Sequence, residues 1–148
     1  MVDDQPALRR LMDVVLSEAG FEVQLAEGGA EALEAVRAAP PEVCVLDVMM
    51  PRVNGWEVLE ALRADPATED LPVVMLTAKG DPRDRLRGWE LGCDAYLPKP
   101  FDPPDVVNEV MAVLTREPAE RQALRERQLT VVRATLSKGR ERNGRKVG

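Results

Sequence analysis

A short apolar run that ends abruptly in a carboxylate is the feature that most constrains this chain. Residues 43–46 are apolar, Asp47 follows them directly, and Pro51 and Gly55 come soon after. Such a run predicts a strand that is buried on both faces, as in a parallel sheet covered by helices. Asp47 then lies at the carboxyl end of the strand, where ligands bind in open α/β sheets.

Strand-like and helical patterns alternate along the rest of the chain. Apolar residues at helical spacing, with proline or acidic starts and glycine or proline stops, predict five helices. The predicted strands are residues 21–25, 43–47, 71–77 and 95–97, with little sequence left for a first strand before residue 3. This order predicts an α/β fold with a flavodoxin-like, doubly wound parallel five-stranded sheet in the order 2-1-3-4-5.

Four strand ends that share one edge of such a sheet carry reactive side chains. These side chains are Asp3, Asp4, Asp47, Thr77 and Lys99. Two carboxylates 4 Å apart repel by about 4 kcal/mol at an intermediate effective dielectric, so three of them need a cation. Carboxylate oxygens suit Mg²⁺.

The same set of side chains fits phosphoryl transfer. A carboxylate can attack phosphorus to give an aspartyl phosphate, and the charge of the transferring group needs a metal, a hydroxyl donor and a fixed cation. We predict Asp47 as the nucleophile, Asp4 as the main metal ligand and Asp3 as a metal ligand that acts through water. Thr77 and Lys99 then hold the phosphoryl oxygens. The alternatives are that Thr77 only ends a strand and that Lys99 is a solvated surface charge.

The motifs at these positions resemble a known family. Asp3-Asp4, Asp47-x-x-Met50-Pro51-x-x-x-Gly55, Thr77-Ala78 and Lys99-Pro100-Phe101 are similar to the receiver domain of bacterial two-component response regulators, over residues 1–116. The resemblance implies phosphorylation of Asp47 by a histidine kinase or phosphotransferase. It also implies Mg²⁺ as the cofactor, bound by Asp3, Asp4, Asp47 and the backbone carbonyl of Met49.

The resemblance carries further expectations about signalling. It implies a switch formed by Thr77 and Tyr96, a cis Lys99–Pro100 bond, and a contact face of helix four, strand five and helix five that serves a downstream protein or a dimer. We therefore predict a single-domain cytoplasmic response regulator in a phosphorelay, a signalling protein and not an enzyme. The alternatives are an unphosphorylated pseudo-receiver scaffold and a phosphatase with an Asp nucleophile. Met49 argues against the latter, because haloacid-dehalogenase-type phosphatases carry an acid at that position.

The start of the chain departs from the expected pattern. Only Met1 and Val2 precede the acidic pair, whereas a strand has roughly five residues. The missing strand would lie between strands two and three, and each backbone group that it leaves unpaired costs on the order of 1–3 kcal/mol. One hypothesis is that the natural chain starts upstream and that Met1 replaces a valine. If the chain does begin here, we expect weak metal binding by Asp3 and Asp4.

The charge distribution divides the chain into two parts. The net charge is −6, but residues 116–148 carry ten basic and four acidic side chains, so that residues 1–115 carry −12. We predict that residues 117–148 form a basic tail that is partly helical or disordered. Alternative roles for the tail are contact with an anionic partner, either nucleic acid or a membrane surface, and dimerisation through a helix.

Composition excludes several other classes of protein. The chain has no histidine, which excludes a His-based triad and makes a zinc site improbable. Cys44 and Cys93 lie in or beside apolar runs and are interpreted as buried free thiols. No apolar run approaches the roughly 20 residues of a membrane helix.

Overall fold

Three parallel strands form the centre of the fold. The computed structural model describes residues 1–3, 5–50, 52–78 and 81–145, and its strands are β1 (Cys44–Asp47), β2 (Val73–Thr77) and β3 (Ala95–Pro98). They pair in the order β1-β2-β3, with Asp47 opposite Leu76 and Thr77 opposite Pro98. The carboxyl ends of the strands therefore lie along one edge of the sheet.

Six helices surround the sheet in the described residues. They are α1 (Pro6–Glu18), α2 (Gly29–Ala38), α3 (Gly55–Ala64), α4 (Pro82–Leu91), α5 (Pro103–Leu114) and α6 (Pro118–Arg145). Local sequence explains several of their ends. The side chains of Asn54 and Asp81 cap α3 and α4 by accepting hydrogen bonds from backbone N–H groups in the first turns. Gly92 ends α4 with a φ of 96°, a left-handed conformation that favours glycine.

The helices cover both faces of the sheet. On one face, Met12 of α1 and Val106 and Val110 of α5 pack with Val45 and Val74. On the other face, the side chains of α2, α3 and α4 pack against the alternate strand residues, among them Leu46, Val73 and Met75. Because both faces are covered, the strands are apolar throughout, and this explains the continuous runs in the sequence.

The five-stranded sheet predicted from the sequence is reduced to three strands in the described residues. Residues 21–25, which alternate like a strand, are not in a strand. Val2 makes one isolated parallel bridge to Ala26 and another to Leu46, so it lies between these two segments. In the described part of the chain residues 21–25 pair with no strand, although the amino group of Met1 donates a hydrogen bond to the Gln24 carbonyl at 2.9 Å. Residues 21–25 and 43–45 line a cleft of about 800 Å³ with both polar and apolar walls.

The basic tail is a continuous helix through Arg145, and this helix, α6, packs against α4. In the described residues of the chain, no helix combines the length and apolar character that crossing a membrane requires. Cys44 and Cys93 are buried and free, as predicted.

Candidate functional site

Asp47 and Lys99 form an ion pair at the carboxyl edge of the sheet. Asp47 ends β1 and is 1% exposed. Its Oδ2 lies 2.9 Å from Nζ of Lys99, which follows β3, and its Oδ1 accepts a hydrogen bond from the Met49 N–H at 3.1 Å. The backbone N–H of Lys99 donates to the Thr77 carbonyl at 2.6 Å, and this hydrogen bond holds the Lys99 backbone beside the end of β2. Residues 52 positions apart in sequence thus meet at one carboxylate.

A second buried carboxylate, Asp3, shares the same lysine. Oδ2 of Asp3 lies 3.6 Å from Nζ of Lys99, and Oδ1 accepts a hydrogen bond from the Gln5 N–H at 2.8 Å. Burial raises the pKa of Asp3 to about 6, and the nearby Asp47 acts in the same direction, whereas the Gln5 N–H and Lys99 oppose the shift. Two carboxylates beside one ammonium leave this edge with an excess of negative charge.

The strand ends also bring Thr77 and Tyr96 together. Thr77 ends β2 and is fully buried, while Tyr96 lies on β3 and is partly buried. The pKa of the Tyr96 phenol is raised mainly by burial, and a hydrogen bond between the side chains of Tyr96 and Thr77 works against that shift. Tyr96 also lies against α4, because a Cβ on Gly88 would come within 2.9 Å of its ring. The two residues of the predicted switch are therefore in contact.

The loop after Asp47 is held close to the site by Gly55. A Cβ at this position would collide with the Asp47 carbonyl oxygen and would lie 2.7 Å from Cα of Val48. The Gly55 N–H donates to the Val48 carbonyl at 3.0 Å, which joins the start of α3 to the end of β1. Met49 stands beside this junction with a side chain that is 53% exposed. The glycine of the motif thus has a packing role beside Asp47.

The buried acids fit a hard cation. Oδ2 of Asp3 is buried and accepts no hydrogen bond from the described residues, so it remains available to a metal ion. Asp4 lies outside the described residues, and within them no group of three or more acidic, cysteine or histidine side chains is placed to hold a metal. Asp3 and Asp47 are the described carboxylates at this edge, and the Met49 carbonyl as a ligand stays a prediction. The Lys99–Pro100 bond is cis, as expected.

At the opposite end of the sheet, another buried carboxylate was missed by sequence reasoning. Asp94 precedes β3, and its side chain is within 3.3 Å of the guanidinium groups of Arg63, Arg121 and Arg125. An acid inside the apolar run that leads to β3 was an available signal. The spacing of Arg121 and Arg125, one helical turn apart, was another.

The part of the chain that forms the Asp47 site matches a known protein family. A family model described as "Response regulator receiver domain" matches residues 1–111. The chain belongs to the response regulator receiver family. Two curated relatives are the response regulator Rre1 of Synechocystis sp., 40% identical over 83% of this chain, and the DNA-binding response regulator MtrA of Mycolicibacterium smegmatis, 44% identical over 81% of it.

Solved structures of receiver domains share the fold. The chemotaxis response regulator CheY4 of Vibrio cholerae is 33% identical, with a TM-score of 0.72 over 76% of this chain and 93% of that one. The receiver domain of the Francisella response regulator 1452 is 29% identical, with a TM-score of 0.73 over 78% of this chain and 93% of that one. By contrast, the match covers 54% of Rre1 and 53% of MtrA, so this chain spans about half of those relatives. The chain therefore contains a receiver domain of two-component signalling.

Proposed function

We propose that this receiver is a phosphoacceptor that takes a phosphoryl group on Asp47, with Mg²⁺, from a histidine kinase or phosphotransferase and then signals by protein contact. The observation that carries the proposal is the meeting of Asp47, Lys99 and Asp3. These side chains come from three separate parts of the chain, and both carboxylates lie within 3.6 Å of the Lys99 ammonium group. Neither a helix cap nor a solvated lysine accounts for such a buried group.

The chain's own groups support each part of the transfer. An Asp47 carboxylate oxygen attacks phosphorus, and the bond from phosphorus to the donor histidine nitrogen breaks. Lys99, already 2.9 Å from Oδ2, offsets the negative charge on the transferring oxygens. The Met49 N–H holds the other oxygen and so fixes the direction in which the carboxylate faces. The buried Thr77 hydroxyl, one residue beyond the partner of Asp47 on β2, is the hydroxyl donor in this proposal.

The excess negative charge at this edge is the reason for including a metal. Mg²⁺ would supply the positive charge that these acids and the phosphoryl oxygens need. Asp3 and Asp47 would hold it among the described residues, with Asp4 and the Met49 carbonyl as the further predicted ligands. The open Oδ2 of Asp3 supports this assignment.

The test is incubation of the protein with acetyl phosphate and Mg²⁺, followed by intact-mass measurement. We expect the gain of one phosphoryl group, which is lost in Asp47→Asn and reduced when EDTA replaces Mg²⁺. Asp13→Asn is a matched control, because this aspartate lies on α1 and accepts a hydrogen bond from the Ser17 hydroxyl there. If folded wild-type protein gains no mass, the phosphoacceptor proposal fails and the unphosphorylated scaffold replaces it.

Transmission of the signal is proposed to use the face of α4, β3 and α5. Tyr96 connects this face to the site, because it contacts Thr77 on one side and α4 at Gly88 on the other. A change at Asp47 that moves Thr77 would therefore reach α4 through one aromatic ring. The downstream partner is a protein or a second copy of this receiver.

A further inference from the structure

The buried Asp94 carboxylate divides its two oxygens between two parts of the molecule. Oδ2 accepts hydrogen bonds from Arg63 of α3 at 3.0 Å and from the Val73 N–H at 2.9 Å. Oδ1 accepts hydrogen bonds from Arg121 at 3.3 Å and from Arg125 at 3.1 Å, both from α6. One oxygen is thus bound by the receiver itself, and the other is bound by the helix that follows it.

The receiver side of this cluster is complete without α6. Besides Asp94, Arg63 donates to the carbonyls of Gly92 at 3.0 Å and Leu71 at 2.7 Å, so it ties α3 to the segments on either side of β2. With α6 removed, Asp94 would still hold Arg63 and the Val73 N–H. Its Oδ1 would then be an open acceptor beside α4.

The remainder of α6 continues this contact as an apolar stripe. Leu129, Val132 and Leu136 follow Arg121 and Arg125 at spacings of four, three and four residues, which places all five on one face of the helix. Val132 is 3% exposed and belongs to the core cluster that contains Trp89 of α4, and both leucines pack against that cluster. Because α6 packs along α4, it covers a helix of the face assigned above to partner contact.

Several features indicate that α6 can leave without unfolding the receiver. Only residues 115–117 connect it to α5, and the family match ends at residue 111, before α6 begins. Within the described residues, Nε of Arg121 and Nε of Arg125 are buried and have no acceptor, so the contact is imperfect. Two more guanidinium groups also join a carboxylate that already has Arg63, which adds repulsion between like charges.

We propose that Asp94 is a docking site for a helix that carries two arginines one turn apart. Within the molecule, α6 occupies this site and covers α4. A partner helix of the same chemistry displaces α6 and exposes α4. The partner helix would present Arg-x-x-x-Arg followed by apolar residues at the spacing of Leu129, Val132 and Leu136. This docking does not depend on phosphorylation of Asp47, so the two proposals can fail separately.

Hydrogen exchange of the full-length protein tests whether α6 opens by itself. We expect α6 amides in wild-type protein to exchange faster than those of β2, since a local opening needs less free energy than global unfolding. In Arg121→Gln/Arg125→Gln, exchange in α6 and α4 should rise at least about tenfold, and α6 should still exchange faster than β2. Arg127→Gln, on the exposed side of α6, is the matched control and should behave as wild type. Exchange of α6 at the rate of β2, or equal effects of the double and control variants, overturns the proposal.

A labelled synthetic peptide of residues 118–137 tests the docking site itself. It should bind the full-length double variant, whose own α6 opens more often, at least about tenfold more tightly than wild type, because a tethered helix competes at an effective concentration near millimolar. The same peptide with both arginines changed to glutamine should not bind. If the wild-type peptide and the glutamine peptide bind alike, or if neither binds the double variant, Asp94 is not a docking site.

Discussion

The buried aspartates at the two ends of the sheet have opposite electrostatic surroundings. At the carboxyl edge, Asp47 and Asp3 share Lys99, and an oxygen of Asp3 accepts no hydrogen bond from the described residues. At the other end, Asp94 is surrounded by three arginines and both of its oxygens are bonded. The first end has less positive charge than its two carboxylates need, and the second has more than its single carboxylate needs.

This difference separates the proposed phosphoacceptor site from a structural ion-pair cluster. Burial raises the pKa of Asp3 to about 6, because its charged form is incompletely neutralised at the carboxyl edge. At the other end, burial lowers the pKa of Arg63 while Asp94 raises it, and the guanidinium is held by its partner. We therefore expect a buried carboxylate at a strand end to be reactive only where its neighbours leave its charge incompletely neutralised.

The largest effect is expected from removing the neutralised aspartate. Asp94→Ala leaves three guanidinium groups around a site without a carboxylate, and breaking such a buried cluster should cost about 3–5 kcal/mol in free energy of unfolding. Urea denaturation measures this loss, with Glu60→Ala on the exposed face of α3 as the control, for which we expect less than about 0.5 kcal/mol. A loss under about 1 kcal/mol would show that the cluster is not structural.

At the carboxyl edge, by contrast, removing a buried acid should raise the free energy of unfolding at neutral pH. The unfolded chain releases the Asp3 proton near pH 3.8, whereas the folded protein holds it until about pH 6. The unfolded state therefore binds fewer protons in this window, and stability falls as pH rises through it, by up to ~3 kcal/mol. Asp3→Asn should remove this loss and be more stable than wild type at pH 7 in the presence of EDTA. Urea denaturation of wild type and Asp3→Asn at pH 4 and pH 7 measures this effect. Equal changes in the free energy of unfolding of the two proteins between these pH values would contradict the prediction.

The smallest effect is expected at the exposed end of the α4–α6 contact. Arg133 and Glu90 approach to 3.4 Å, but their side chains are 60% and 47% exposed. Solvent screens such a pair, so Arg133→Gln should change the free energy of unfolding by at most ~0.5 kcal/mol and leave α6 docked. Hydrogen exchange of α6 in this variant should match wild type. An effect as large as that of Arg121→Gln/Arg125→Gln would show that burial does not govern which arginines hold the helix.

Sequence reasoning found the carboxyl edge because each of its residues follows a strand. The runs before Asp47 and Thr77 are apolar enough to be recognised, and parallel strands bring their ends together, so the approach of Lys99 to Asp47 follows from topology. The starts and ends of α3 and α4 were also readable, since caps and glycine stops act locally.

The rest depended on contacts between distant segments. Alternation in residues 21–25 predicts a strand, but a strand forms only beside a partner, and Val2 supplies a single bridge on that side. The Asp94 cluster depends on how α6 folds back over the molecule, which a helical pattern does not specify. The spacing of Arg121 and Arg125 was an available signal for one face of α6, but it does not specify what that face contacts.

The tight junction at Gly55 has a consequence for how a signal could leave the site. Because no side chain fits between this residue and the Asp47 backbone, we expect β1 and the start of α3 to move together. If Asp47 is phosphorylated as proposed, we then expect the rearrangement on the side of β2 and β3, where Thr77 and Tyr96 lie.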